Sequence, residues 1–293
     1  MGKRILVLGG DKRMIAVSNA FCRDGAEVSA YGFSTRTNFY DMVNMPLSIE
    51  EATADADVIV TGLPMSADGV ALSAPLWDDT IYISDLLPLI DKGKLLLGGK
   101  ISVALREELT SRSIPFADYL DREELAVANA VPTAEGAIAV AMDAIPVTLW
   151  RSKILVIGFG RIGKVLAHRL QGLGASVSVS ARKFYDLSWI DAYGYRSVTY
   201  DKFRDCLGEF DVIFNTVPKP MLGEAELDAV RGDCVIIELA SAPGGVDTHK
   251  AYERGIRVIS ALALPGKCAP YTAGEIIERT ILNILSETGD LIK

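Results

Sequence analysis

Gly158-Phe159-Gly160-Arg161-Ile162-Gly163 is the stretch whose residue types and spacing point most directly to chemistry. A G-x-G-x-x-G hexapeptide binds a pyrophosphate when it links a buried strand to a helix. The first glycine makes the tight turn, the second admits the phosphate, and the third lets helix pack on strand. Lys153–Ile157 reads KILVI, a β-branched run suited to a buried parallel strand. Ile162, Val165, Leu166 and Leu170 then recur at helical spacing, with Gly172 and Gly174 near the end of the run. Ser176–Ser180 resumes as a second strand. The helix start supplies unpaired N–H groups and the positive end of the dipole. Gly158, Gly160, Arg161, Ile162 and Gly163 are therefore expected to hold a dinucleotide.

The end of the second strand selects between dinucleotides. An NAD site usually places Asp or Glu there, on the ribose hydroxyls. Here the strand runs Ser178-Val179-Ser180-Ala181-Arg182-Lys183, with no carboxylate. A guanidinium forms bidentate, charge-assisted bonds to phosphate, so Arg182 and Lys183 predict NADP. Two later strand-end loops add Thr216, Val217, Pro218 and Ala240 to the expected cofactor contacts.

The elements that carry this site occur twice. Arg4–Gly32 overlays Lys153–Ala181 without a gap: Ile5-Leu6-Val7 on Ile154-Leu155-Val156, Gly9 on Gly158, Gly25-Ala26 on Gly174-Ala175. Asp57-Val58-Ile59-Val60 echoes Asp211-Val212-Ile213-Phe214. Common physics and common descent both explain such likeness. The expected fold is α/β, two Rossmann-like doubly wound parallel-sheet domains joined by bridging helices. The expected boundaries are 1–128 for a substrate domain and 129–150 for a bridging helix opened at Thr133 after Pro132. They continue with 151–270 for the cofactor domain and 271–293 for a helix returning to the first domain, with a hinge and cleft beside the crossings.

The first half lacks two fingerprint glycines and has Gly10-Asp11-Lys12-Arg13-Met14 instead. Lys12 and Arg13 at a helix start suit a carboxylate rather than a pyrophosphate. Ser66, Lys100, Thr133 and Lys267, in strand-end loops or at the bridging helix, complete the expected substrate contacts.

Composition narrows the classes. A net charge of −8 with no basic run argues against nucleic acid. Four cysteines without C-x-x-C spacing read as reduced thiols, neither a disulfide framework nor a metal site. No apolar stretch is expected to span a membrane and no signal peptide is expected, which points to the cytoplasm. The two histidines, His168 and His249, fall on helices away from strand ends, so no catalytic base is assigned.

The two-domain plan resembles 2-hydroxyacid dehydrogenases and adenosylhomocysteine hydrolases. It departs from the former: Ala242-Pro243, not an Arg, precede Gly244-Gly245, and the last loop, Leu264–Gly274, holds no His. Three further motifs are more specific. These are Gly9-Gly10-Asp11-Lys12-Arg13, Asn129-Ala130-Val131-Pro132-Thr133-Ala134-Glu135-Gly136, and the Pro265-Gly266-Lys267 to Gly274 stretch. Together they resemble the A subunits of bacterial dipicolinate synthase over essentially the whole chain. That resemblance implies NADP-dependent oxidation of a dihydrodipicolinate-type ring to pyridine-2,6-dicarboxylate during sporulation. It also implies a small dicarboxylate substrate, a mother-cell cytoplasm and, for partner, the flavoprotein-like B subunit of dipicolinate synthase. A homodimer is left open. Two alternatives stand beside it: another NADP oxidoreductase of 2-hydroxyacid or imine type, and a non-catalytic NADP-binding regulatory scaffold.

Overall fold

Short β-branched runs alternate with amphipathic helices throughout the chain, and each run becomes a strand with helices covering both faces. The computed structural model describes residues 2–289, which divide into two units. The first holds the described residues up to Asn129 and from Ala269 onward; the second is Ala130–Cys268.

In the first unit, β1 (Arg4–Leu8), β2 (Glu27–Tyr31), β3 (Val58–Thr61), β4 (Leu95–Gly98) and β5 (Phe116–Asp118) form one parallel sheet in the order β2-β1-β3-β4-β5. In the second, β6 (Lys153–Ile157), β7 (Ser176–Ala181), β8 (Arg196–Thr199), β9 (Val212–Asn215), β10 (Val235–Glu238) and β11 (Arg257–Ser260) form another. Its order is β11-β10-β9-β6-β7-β8, again all parallel. Both sheets reverse their winding beside their first strand, so each has a switch point at the carboxyl ends of the strands, where such sheets hold ligands. The expectation of two doubly wound parallel sheets holds.

The sequence repeat extends to hydrogen bonds. Arg4 pairs with Glu27 across β1–β2, and Lys153 with Ser176 across β6–β7, which is the same register. Asp57 accepts the Arg4 N–H at 2.9 Å and Asp211 accepts the Lys153 N–H at 2.7 Å. The Gly9 N–H donates to Tyr31 O at 2.8 Å and the Gly158 N–H to Ser180 O at 2.9 Å.

The long central helix differs from expectation. It runs Glu123–Ala144 and carries Pro132 in its interior, so neither Pro132 nor Thr133 opens it. A mid-helix proline forfeits one ladder bond. The face formed by Ala130, Ala134, Ala137 and Ala141, each at most 1% exposed, carries the helix through it. By length and composition this helix could cross a membrane, contrary to the reading of the sequence. Part of its apolar surface instead lies in the cores of the two units, Leu125 in the first and Ala134, Ile138 and Ala141 in the second, while Val127 and Met142 are exposed. The last helix, Pro270–Glu287, buries Ile277, Ile281, Ile284 and Leu285 in the first unit. Residues 290–293 of the expected helix lie outside the described residues.

Candidate dinucleotide site

At the carboxyl end of the second sheet the fingerprint borders an open recess of about 510 Å³. Its walls include Gly158, Phe159 and Gly160 after β6, Arg182 and Lys183 after β7, and Thr216, Val217 and Pro218 after β9. The glycines divide the work as the motif requires. Gly158 sits at φ +100°, and a Cβ there would collide with Thr216 Oγ1. A Cβ on Gly163 would collide with the Gly158 carbonyl, so only a glycine lets the helix lie this close to the turn. A Cβ on Gly160 would meet nothing within 4 Å. Gly160 is also the N-cap of the Arg161–Gly172 helix and makes no side-chain cap, so the first N–H groups of that helix have no capping side chain. Open space in front of a helix start suits a pyrophosphate.

Ile162 is half-buried and packs on the core under this turn, and Arg161 occupies the first helical position beside Gly160. Thr216 donates its hydroxyl to Ile157 O at 2.8 Å, which ties the β9 loop to the end of β6. The β7 end of the recess is basic. Arg182 and Lys183 are exposed, and among the described residues the lone carboxylate lining the recess is Asp186. Burial pushes the Tyr200 hydroxyl up, and the charge of Arg182 partly offsets the shift. The open helix start and the strand-end loops around it fit a nicotinamide dinucleotide.

Ala240, in contrast, is 6% exposed and donates its N–H to Glu238 Oε1 at 2.9 Å, so it has no free amide for a cofactor. Glu238 carries no local signal in the sequence. It is buried at the end of β10 and accepts from Asn215 Nδ2 at 2.8 and 3.0 Å, from Gly245 N at 2.8 Å and from Val246 N at 3.1 Å. Asn215 in turn donates to Val217 O at 3.1 Å, so the carboxylate braces one wall of the recess through a single side chain. Asp118 is a comparable buried acceptor in the first unit. Its oxygens accept from the N–H groups of Lys100, Ile101 and Leu120 at 2.9, 2.7 and 2.9 Å, and from Arg106 at 2.5 Å.

The comparisons with known proteins agree with this geometry. Residues 4–120 match the N-terminal domain of the A subunits of dipicolinate synthase. Residues 133–250 match the NAD binding domain of D-isomer specific 2-hydroxyacid dehydrogenases. The dipicolinate synthase A subunit of Bacillus subtilis (strain 168) is 28% identical over 290 residues, which cover 98% of this chain and 97% of that one. The chain is similar to the dipicolinate synthase A subunits along nearly its whole length. The crystal structure of the B. subtilis protein superposes with a TM-score of 0.89 at 26% identity, over 99% of this chain and 97% of that one. The crystal structure of its Bacillus halodurans counterpart gives 0.89 at 26%, over 98% of each. The second unit is thus a dehydrogenase-type domain for a nicotinamide dinucleotide.

The residues expected to bind substrate are less uniform. Arg13 is not an available cation. It is bound to Asp11 at 2.9 Å, donates to Leu63 O at 2.5 Å, and its side chain is 14% exposed. Asp11 is the N-cap of the Lys12–Arg23 helix and accepts the Arg13 N–H at 3.0 Å. That helix start therefore carries its own carboxylate, and the expectation of an open anion site there is overturned. Ser66 accepts the Gly69 N–H at 2.9 Å and donates to Asp68 at 3.1 Å within a turn. Thr133 lies inside the long helix rather than at its start. Lys12 and Lys100 are exposed in the first unit. Lys267, expected in a loop, is exposed on the short Leu264–Cys268 helix of the second. Both histidines are exposed, and His249 Nδ1 lies 3.3 Å from Glu253. Among the described residues no group of His, Cys, Asp or Glu is placed to hold a metal, and all four cysteines are unpaired.

Proposed function

We propose that this chain is the NADP-dependent subunit of a dipicolinate synthase, which oxidises a dihydrodipicolinate-type ring to pyridine-2,6-dicarboxylate. The observation that carries the reading is the recess at the fingerprint, lined by Arg182 and Lys183 at the end of β7, in a chain similar to the dipicolinate synthase A subunits over nearly its whole length. Oxidation of the dihydro ring removes one hydride and one proton and leaves an aromatic pyridine. Bound NADP supplies the hydride acceptor. Because aromatisation favours loss of the proton, a strong dedicated base is less necessary than in oxidation of a secondary alcohol, in keeping with a recess that no His lines among the described residues.

The chain's part is to bind and orient. Gly158, Gly160 and Gly163 with the helix start hold the pyrophosphate, and Thr216, Val217 and Pro218 line the recess beside them. Arg182 and Lys183 hold the 2′-phosphate. Lys12, Lys100 and Lys267 are the proposed carboxylate ligands, as exposed cations without an ion pair among the described residues. The proposed setting is the mother-cell cytoplasm, and the proposed partner is a flavoprotein-like second subunit.

NADPH formation from freshly generated dihydrodipicolinate, with and without the partner, tests this reading. Turnover is expected with NADP. Turnover of simple 2-hydroxy acids or imines in its place assigns a different oxidoreductase. Tight NADP binding with no turnover, even with the partner present, assigns a regulatory scaffold.

A further inference from the structure

The recess contains a cation beyond those expected from the sequence. Lys219 lines it from the loop after β9, while Arg182 and Lys183 line it from the loop after β7. β6 lies between those two strands, so the three cations come from the two sides of the fingerprint strand. None of the three has an ion-pair partner among the described residues, although Arg4, Arg106, Arg122, Arg231 and Arg254 are all paired. Unpaired cations gathered on one concave surface and opposed by the single carboxylate of Asp186 create a local positive potential suited to an anion.

The local sequence holds Lys219 in place. It sits between Pro218 and Pro220, and a following proline restricts its backbone to extended conformations. The N–H groups of Met221 and Leu222 both donate to Gly245 O, at 2.8 and 2.9 Å, which anchors the far end of the loop. Little backbone freedom is left to lose when the ammonium engages a ligand. The flexible four-carbon stem then gives a mobile point charge opposite the planar fork of Arg182.

We infer that Lys219 is a specificity-determining residue. With Arg182 and Lys183 it closes a three-cation cradle around the ribose 2′-phosphate, which the 2′-hydroxyl of NAD cannot engage. The inference rests on the NADP reading above and deepens it.

Calorimetric titration of the full chain with NADP, NAD, adenosine 2′,5′-bisphosphate and 5′-AMP tests it. Lys219→Ala is expected to weaken NADP and the bisphosphate roughly 10-fold or more, as for a lost bond between charged groups. NAD and AMP should stay within about twofold. Lys219→Arg should restore most of the loss, and thermal melts should show both variants folded. An equal loss for NADP and NAD overturns the inference, because it places Lys219 on the pyrophosphate or in a structural role. NADP affinity unchanged in a wild-type background that prefers NADP overturns this inference alone. A wild-type preference for NAD overturns it together with the NADP reading.

Discussion

Replacing Glu238 with Gln should damage the second unit far more than an isosteric change at an ordinary position. One carboxylate oxygen accepts from Ala240 N at 2.9 Å and Asn215 Nδ2 at 2.8 Å. The other accepts from Gly245 N at 2.8 Å, Val246 N at 3.1 Å and Asn215 Nδ2 at 3.0 Å. Every group around the carboxylate is thus a donor. A glutamine amide placed either way turns one oxygen into a donor that faces at least one backbone N–H. The bonds that survive lose their charge assistance. A buried donor left without an acceptor costs about 1–3 kcal/mol, and a further loss comes from the weakened bonds, so about 3 kcal/mol is expected in total. For a domain of this size that lowers the melting temperature by roughly 6–12 °C. Dinucleotide affinity should fall too, because Asn215 ties Glu238 to Val217 on the wall of the recess. The assay is a thermal melt of the full chain followed by NADP titration. A Glu238→Gln melting temperature within about 2 °C of wild type would refute the reasoning.

Other substitutions separate fold from function. Gly163→Ala drives a Cβ into the Gly158 carbonyl and should cost about 1–3 kcal/mol of stability, whereas Gly160→Ala projects into open space. Calorimetry should find dinucleotide binding weakened in both, with a lowered melting temperature only in Gly163→Ala. Arg182→Ala should weaken NADP roughly 10- to 100-fold and leave NAD little changed, and equal losses would remove Arg182 from the 2′-phosphate. Glu278 is 4% exposed, and burial beside Asp24 raises its carboxyl from 4.5 to about 7. The folded state therefore favours the protonated acid. Its stabilising effect is complete below the unfolded value of 4.5 and is lost as pH rises through about 7. Glu278→Gln should then stabilise the first unit by up to about 3 kcal/mol at pH near 8 and change little near pH 4, as measured by denaturant melts at the two pH values.

How much of this is legible in the sequence depends on the range of the interaction. KILVI followed by G-x-G-x-x-G can be read because strand, turn and helix start are contiguous, and each glycine has the positive φ, the close contact or the open space that its place in the motif calls for. The repeat is legible for the same reason, and its register carries over into the hydrogen bonds. The long helix misleads at Pro132. A proline is a local stop signal, while the alanine face that overrides it is defined by what packs on it. Arg13 misleads from the opposite direction. A cation at a helix start looks free until the carboxylate two residues before it turns back as the N-cap. Glu238 leaves no local trace. A glutamate closing an apolar strand looks solvated, and only the loop returning at Gly245 and Val246 makes it a buried acceptor.

The contrast between Asp11 and Gly160 shows how one framework supports two uses. The two residues occupy the same place in the repeat, both are N-caps, and their backbones are alike, at φ −93°, ψ −166° for Asp11 and φ −79°, ψ −163° for Gly160. The difference is the side chain. Asp11 brings a carboxylate to the N–H groups of its own helix and pairs it with Arg13, so the positive end of that dipole is neutralised from within. Gly160 brings nothing, and its helix start faces open space beside the recess. The backbone geometry that favours an anion is present in both units. The helix start is satisfied by a residue of the chain in the first and left open in the second, which matches the presence of the dinucleotide fingerprint in one half and not in the other. Any substrate anion held by the first unit must therefore engage cations outside that cap, which leaves exposed lysines such as Lys12 and Lys100 rather than Arg13.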